Sequence, residues 1–433
     1  MIVFYVFWSV SGCDVVMSSS ERHTVVIGGG VIGGFCAWYL RKTGRRVTIV
    51  DRNEFGAGCS HGNCGYVSPS HILPLTAPGQ IRRGLKGMIS RNAALRIRPR
   101  LSPSMWAWMF KFASRCNRRD MVSAGRGRHA ILESSRRLYQ GIIEDEKLNV
   151  EWKTDGLLFV FRDHLGFENY GETNRLLTKE FGVPAEPVEG ADLTRLEPAL
   201  KPGIAGAWHY PNDAHLRPDR MMSELKRILL NAGVEIIGQT EMKEFVGSGQ
   251  NITHVQTQSG AIAANEFVVA TGPLTPMLNR VLGCRIPIQP GKGYSITMAR
   301  PQVCPRYPLL LQEAHVGITP FDTGYRIGST MEFAGYNSEL SPGRLQYLRD
   351  GAAQYLVEPL AEPVNEEWFG WRPMTWDGLP YIDRTPRFNN VWVAAGHNML
   401  GLSMGAATGN LMTELITGQP PHISPEPYRI GRR

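Results

Sequence analysis

Three glycines, Gly28, Gly30 and Gly33, followed 18 residues later by Asp51, are the residues whose types and spacing most directly imply a ligand. In VVIGGGVIGG (25–34) the first glycine permits a tight turn and the second lets backbone N–H groups approach a pyrophosphate. The third lets a helix pack close against the preceding strand. Val31 and Ile32 open that helix, and its N-terminus carries about half a positive charge that faces a diphosphate. Asp51 can accept hydrogen bonds from the adenosine ribose 2′- and 3′-hydroxyls and repels a 2′-phosphate, which disfavours NADP. Arg52 beside it joins the candidate cofactor-binding residues. The glycine pattern alone does not separate NAD from FAD.

The elements that must position these residues follow from periodicity. Val25–Ile27 is a β-rich run, and Ile32, Phe35, Cys36, Tyr39 and Leu40 then fall at helical spacing until Gly44. Val47–Val50 is a second strand closed by Asp51, which completes a βαβ start. Strands are predicted at Gly156–Phe161 and Ile204–Tyr210, and helices over Leu165–Phe181 and Pro218–Ala232. Val234–Ile237, Ile252–Thr257 and Glu266–Ala270 read as short strands completing the nucleotide-binding sheet. Ile286–Met298 and Tyr325–Met331 read as strands of a separate sheet, and Val391–Ala395 with the helix Leu402–Ile416 as a final βα pair. The expected fold is therefore α/β and α+β, a Rossmann-like domain assembled from separated segments plus a mixed-sheet domain. The segments 21–74, 115–152, 214–280 and 375–425 are assigned to the first, and 75–114, 153–213 and 281–374 to the second. Residues 1–20 read as a tail or a mis-set start, with Met17 a plausible initiator, and 426–433 as a tail.

Length and composition bound the function class. With 433 residues, 42% hydrophobic and 20% charged, the chain suits two soluble domains. Its seven cysteines form no CxxC pair and no zinc-ligand spacing, so a reducing compartment and no metal are expected. The net charge of +8 is uneven: residues 81–130 hold 13 Lys/Arg against Asp120 alone. That window contains MWAWMFKF (105–112), which reads first as an amphipathic helix on the protein's own core. Its composition also suits an anionic membrane surface, so peripheral membrane contact through 81–130 is the second reading. No nucleic-acid reading motif accompanies the charge, so no nucleic-acid partner is expected. No run is long enough for a transmembrane helix. Val10–Cys13 has the form of a lipoprotein box without the basic flank a signal needs. The expected location is cytoplasmic, with peripheral contact on the inner face of the cytoplasmic membrane as the variant.

Beyond GGGVIG and Asp51, the chain carries CSHGNCGYVSP (59–69), HYPNDAHLRP (209–218) and VVATG (268–272). It also carries PGKGYSI (290–296), GWRPMTWDGLPYI (370–382) and AAGHNMLGLSMGAATG (394–409). In these motifs and their order it resembles the FAD-dependent D-amino acid oxidase/glycine oxidase superfamily, most closely the D-amino acid dehydrogenase branch. The resemblance implies FAD. It places Ser60, Asn63 and Gly65 in a second cofactor loop and Gly272 at the cofactor, with Asp377, Gly396, His397, Leu400 and Gly401 bordering the isoalloxazine. His61 and Cys64 depart from the small residues usual in that loop. His397 is read as packing or backbone support ahead of a general base, because geometry must precede a base assignment.

The resemblance also assigns the substrate side. Arg372 in GWRP would take the substrate carboxylate, since a guanidinium fork forms two parallel hydrogen bonds to it. Tyr294 in GKGYS would border the substrate as the second candidate catalytic residue, with core packing as its alternative. Lys292 and His71 are weaker candidates for the same pocket. The implied reaction is oxidative deamination of a D-amino acid by hydride transfer from Cα to flavin N5. The imino acid then hydrolyses to a 2-oxo acid and ammonia, and the electrons pass to a quinone or another carrier. Alternatives inside the group are a D-hydroxyproline dehydrogenase and a glycine or amine oxidase using O2. A non-catalytic flavoprotein subunit is the alternative of another class.

Overall fold

The computed structural model describes residues 22–82, 84, 93–98 and 100–432. The reading of residues 1–20, including Cys13 and Met17, lies outside these, as do positions 83, 85–92 and 99 of the basic window and Arg433 of the C-terminal segment.

The first sheet has six strands in the order Tyr381–Arg384, Val391–Ala395, Glu266–Val269, His23–Ile27, Arg46–Val50, Glu235–Ile237. All neighbours are parallel except the first pair. Its central strands are unbroken β-branched and apolar runs, as a sheet covered on both faces requires, and Val25, Val26, Ile49, Val268 and Val393 are fully buried. The helix Val31–Lys42 returns along one face. The last helix, Gly401–Thr417, packs on it through Gly405 and Gly409. A side chain at Gly409 would meet the Phe35 backbone at 2.5 Å, so the small residues set the distance between the two helices. The long helix Arg118–Asp145 closes the layer, with the Tyr139 hydroxyl donating to Leu402 O at 2.8 Å.

The second sheet has nine strands. From its edge it runs Val364–Thr375, Ile288–Met298, Gly324–Phe333, Val316–Phe321, Leu309–Leu311, Leu157–Phe161, and then Gly206–Tyr210 and Glu186–Val188. Leu95–Ile97 pairs beside Gly324–Phe333. The sheet has its own core around Ile296, Leu311, Ile318 and Ile327. The helix His164–Phe181 starts at Asp163, whose carboxylate accepts from Gly166 N, and ends at the left-handed Gly182.

Two readings of the sequence are corrected. Ile252–Thr257 does not complete the nucleotide-binding sheet. Asn251–Thr257 pairs with Met242–Ser248 and Gly260–Ala263 in a separate three-stranded meander, because tight turns at Gly249 and Ser259–Gly260 close it locally. Residues 426–432 are not a tail. Tyr428 is fully buried with its hydroxyl on Gly127 O at 2.7 Å, and the Arg432 guanidinium forks onto Asp377 at 2.6 and 3.0 Å.

The apolar segment of the basic window forms the helix Pro103–Ser114, started by Ser102, whose hydroxyl accepts from Met105 N. It buries Met105 and Trp108 and leaves Phe110 74% exposed, while Lys111 and Arg115 lie over the Trp376 ring at 5.3 and 5.1 Å. Among the described residues no helix is long and apolar enough to cross a membrane. Among them, too, no cluster of His, Cys, Asp and Glu could hold a metal ion.

Candidate active site

One cavity of about 930 Å³ runs from the glycine turn of the first sheet to the face of the second. At the turn, Gly28 has φ +115° and its amide donates to Val50 O at 2.8 Å. A methyl on Gly28 would lie 2.5 Å from Ala270 O, and one on Gly33 would lie 1.8 Å from Gly28 O. A methyl on Gly30 meets nothing nearer than the Ser60 hydroxyl at 3.5 Å, so the open side of Gly30 is the cavity. Gly30, Val31 and Ile32 line it, whereas Gly33 sits behind the wall as a packing residue.

Asp51 lies at the same end. Its carboxylate accepts from Gly29 N at 2.6 Å and from Asn53 N at 2.7 Å, which fixes it on the cavity wall with lone pairs to spare for hydroxyl donors. Arg52 and Gly272 also line this end.

The second loop builds the next stretch of wall. The Ser60 hydroxyl accepts from Val31 N at 3.0 Å and so caps the first helix, leaving its own hydrogen to give. Asn63 spends both ends of its amide inside the loop, on Ser60 O at 3.0 Å and on Gly65 N at 2.8 Å. It shapes the loop while lining the cavity. Gly65 has φ +79°, and a methyl there would strike Leu216 O at 2.1 Å. His61 turns away from the cavity onto Glu366, at 2.9 and 3.1 Å, and that carboxylate raises the imidazole pKa.

Sequence reasoning missed what holds this loop. Arg326 is 1% exposed and donates to the carbonyls of Asn63 at 2.8 Å and His61 at 3.3 Å and to the Thr297 hydroxyl at 2.8 Å. One guanidinium thus ties the loop to the sheet. Arg326→Met should purify with less flavin and show an FAD Kd raised about tenfold or more, because two buried carbonyls lose their donors at ~1–3 kcal/mol each. A titration of apoprotein giving the wild-type Kd would remove this role.

At the C-terminal turn, Leu400 and Gly401 line the cavity at the start of the last helix. His397 is buried, its Nε2 sits 3.0 Å from the Thr408 hydroxyl, and burial lowers its pKa to about 3. It is neutral and engaged with the helix that follows it, which fits support rather than proton transfer. Gly396 (φ +83°) stands behind the wall, where a side chain would strike Thr375 at 2.6 Å. Asn398 locks this turn through Thr375 N and Gly396 O, both at 2.9 Å. Asp377 is a correction: it does not line the cavity, because Arg432 and Leu379 N occupy its carboxylate.

On the second sheet, Arg372 reaches the cavity from the strand Val364–Thr375. Its guanidinium lies against the α-carbon of Gly293, where a methyl would come within 2.3 Å of Cζ. It donates to Thr330 O and touches Met331 S at 3.9 Å. Ser329 (φ +114°) and Thr330 (φ +56°) have left-handed backbone where the pairing register slips, an arrangement that costs about 1–3 kcal/mol per residue and re-aims the Thr330 carbonyl. No carboxylate among the described residues pairs with Arg372, and burial lowers its pKa. Tyr294 borders the cavity but is 2% exposed, its ring packed in the core of the second sheet with Lys292 Nζ 5.2 Å from it and its hydroxyl donating to Glu332 at 2.9 Å, which is the packing alternative. Lys292 points elsewhere, its Nζ on Asn337 at 3.1 Å and on Glu339 O.

The cavity therefore joins a dinucleotide cradle to an uncompensated guanidinium. The FAD dependent oxidoreductase family model (DAO) matches residues 23–415. The chain belongs to that family. The DAO chain described here is 31% identical over 416 residues to the D-amino acid dehydrogenase of Agrobacterium fabrum, covering 95% of this chain and 99% of that one. It is 32% identical over 422 residues to the D-amino acid dehydrogenase of Paramagnetospirillum magneticum, covering 94% and 98%. Its fold is similar to glycine oxidase from Geobacillus kaustophilus, with a TM-score of 0.77 at 19% identity over 95% of this chain and 100% of that one. FAD is the cofactor of this DAO chain, and the glycine turn, where Gly30 opens onto the cavity with nothing nearer than the Ser60 hydroxyl, leaves room for its diphosphate.

Proposed function

We propose that this DAO enzyme oxidatively deaminates D-amino acids, and that Arg372 binds the substrate carboxylate. The observation that carries the reading is a half-buried guanidinium that faces the cavity with no acid beside it, since a cation partly withdrawn from water is costly until a ligand neutralises it. Gly30, Val31, Ile32, Asp51 and the Ser60–Gly65 loop would hold the cofactor's diphosphate and adenosine side, and the Leu400–Gly401 turn its ring. Bound FAD supplies the acceptor for the hydride that leaves Cα.

The chain's own residues do the positioning. Thr330 O fixes one edge of the Arg372 fork, and Gly293 gives it room. A carboxylate so held presents its Cα–H in one direction, which is where most of the catalytic advantage of binding lies. No base on carbon is required when the amine arrives neutral, and the neutral, internally bonded His397 agrees with that. The imino acid released hydrolyses to a 2-oxo acid and ammonia. The dehydrogenase names of both relatives favour a quinone or other carrier as electron acceptor.

Anaerobic mixing of the yellow holoprotein with a panel of D- and L-amino acids and D-prolines tests the reading. Flavin absorbance near 450 nm should bleach with D-amino acids, and turnover should proceed with a quinone analogue while little peroxide forms in air. A flavin that stays oxidised with every amino acid tried would overturn it.

A further inference from the structure

The cofactor loop Ser60–Gly65 is fastened to the second sheet mostly by groups that keep one charge near neutral pH. Ser295 Oγ donates to Gly62 O at 2.7 Å, Thr319 Oγ donates to Cys64 O at 2.5 Å, and Arg326 donates to the carbonyls of His61 and Asn63. The Trp368 ring packs on Gly62, where a methyl would lie 2.3 Å from it. His61 is different. It places Nε2 2.9 and 3.1 Å from the oxygens of Glu366, 305 residues away on the strand Val364–Thr375 that also carries Arg372. Arg326, on the strand Gly324–Phe333, and Asp219, in the first turn of the helix Pro218–Asn231, face the same pair. Asp219 is 3.6 Å from Arg326 and 3.0 Å from Arg217. The signs alternate across this group only while His61 is protonated.

The direction of the pH dependence follows from the partners. The hydrogen bond to Glu366 raises the His61 pKa above the usual imidazole value, and the opposing effect of burial is smaller. His61 in turn lowers the Glu366 pKa, so the acid stays ionised throughout the neutral range. The ion pair is therefore complete below about pH 6.5 and is lost as pH rises through the raised His61 value. His71, which lines the cavity, and His397 are held neutral by burial, with pKa values of about 4 and about 3, and do not change charge in this range. Each member of the pair is 36% exposed, so water screens the attraction, and a neutral imidazole still donates one N–H to Glu366. The expected effect is a few-fold.

We infer that His61 and Glu366 form a protonation-dependent latch that holds the cofactor loop on the strand carrying Arg372, so that the enzyme holds FAD more tightly while His61 keeps its proton. This rests on the reading of Ser60–Gly65 as a cofactor loop. His61 is a positioning residue: it turns away from the cavity and acts through the backbone between Ser60 and Asn63. Closing the latch lays the loop against the sheet, which is the shape that walls the cavity. Loop closure therefore favours both FAD binding and His61 protonation, and two equilibria so coupled shift each other by the same factor.

Release of FAD from the holoenzyme, followed as the rise in flavin fluorescence after dilution, tests this from pH 6 to 9. The wild-type rate should rise about threefold as His61 loses its proton. His61→Gln, which keeps an N–H donor and cannot ionise, should release FAD at the wild-type high-pH rate throughout, and Glu366→Gln should do the same. His61→Lys, which keeps a cation, should stay slow to pH 9. A general weakening of the fold would speed release at every pH without flattening the profile, so the profile is the deciding readout. A wild-type rate that is flat over this range, or a rise that survives His61→Gln, overturns the latch alone, provided Arg326→Met releases FAD faster than wild type. Arg326→Met with the wild-type rate at every pH overturns the reading of the loop and the latch with it.

Discussion

Arg372→Ala should lower kcat/KM for D-amino acids by about 10²-fold or more while the protein still purifies with its flavin. The size follows from what the side chain loses: a desolvated, charge-assisted fork to a carboxylate, whose truncation costs ~3 kcal/mol or more, and each 1.4 kcal/mol is tenfold. KM should rise, because the carboxylate is held before and during reaction. kcat should also fall, because a substrate free to pivot presents Cα–H less often. Arg372→Lys separates charge from geometry. A lysine keeps the cation but not the planar fork, and Thr330 O would then compete with the substrate for its few donors, so activity should lie between the two. Gly293 supplies an independent check, since a methyl there lies 2.3 Å from the Arg372 Cζ and must displace the guanidinium. Wild-type steady-state kinetics for Arg372→Ala, with flavin content unchanged, would end the carboxylate assignment.

What the sequence made legible was local. The glycine turn, its strand and its helix stand where VVIGGGVIGG put them, because each demand there concerns residues within a few positions of one another. Asp51 closes the next strand and lies on the cavity wall at the same end. The readings that failed depend on partners far along the chain. Asp377 looks like a site acid in a turn, and only the position of Arg432, 55 residues later, shows that its carboxylate is taken. Ile252–Thr257 is the local exception: it has the composition of a Rossmann strand, but tight turns on either side pair it with its neighbours in sequence. Arg326 sits within the strand GYRIGSTMEF, where a charged residue ordinarily marks the solvent face, and nothing in that string announces that it holds two carbonyls of a loop 263 and 265 residues earlier. Thr330 shows the same limit: no propensity rule places a β-branched residue in left-handed backbone inside a strand. The carbonyl so placed accepts from Arg372, on another strand.

Gly33→Ala should give protein without yellow colour and a lowered melting temperature. The added methyl would sit 1.8 Å from Gly28 O and 3.0 Å from Gly28 C. Both are backbone atoms of the turn and cannot rotate aside as a side-chain end could. Either the helix Val31–Lys42 lifts from the strand or the turn opens, and each route spoils the cradle, since Val31 N is held by Ser60 and a side chain at Gly28 already has no room against Ala270. Lifting the helix also strains its far side, where Phe35 packs on Gly409 with no slack. Overpacking of this kind costs about 1–3 kcal/mol. Loss of a ligand present at 100 times its Kd removes about 2.7 kcal/mol more. The two parts separate experimentally: melts of wild type and variant should differ more with added FAD than in cofactor-free buffer. Gly141→Ala, in an open position on the helix Arg118–Asp145 with nothing within 4 Å, should melt at or slightly above the wild-type temperature, because alanine favours a helix interior by about 1 kcal/mol over glycine. A Gly33→Ala protein that binds FAD with wild-type affinity would show that the close helix–strand approach is not what forms the diphosphate site.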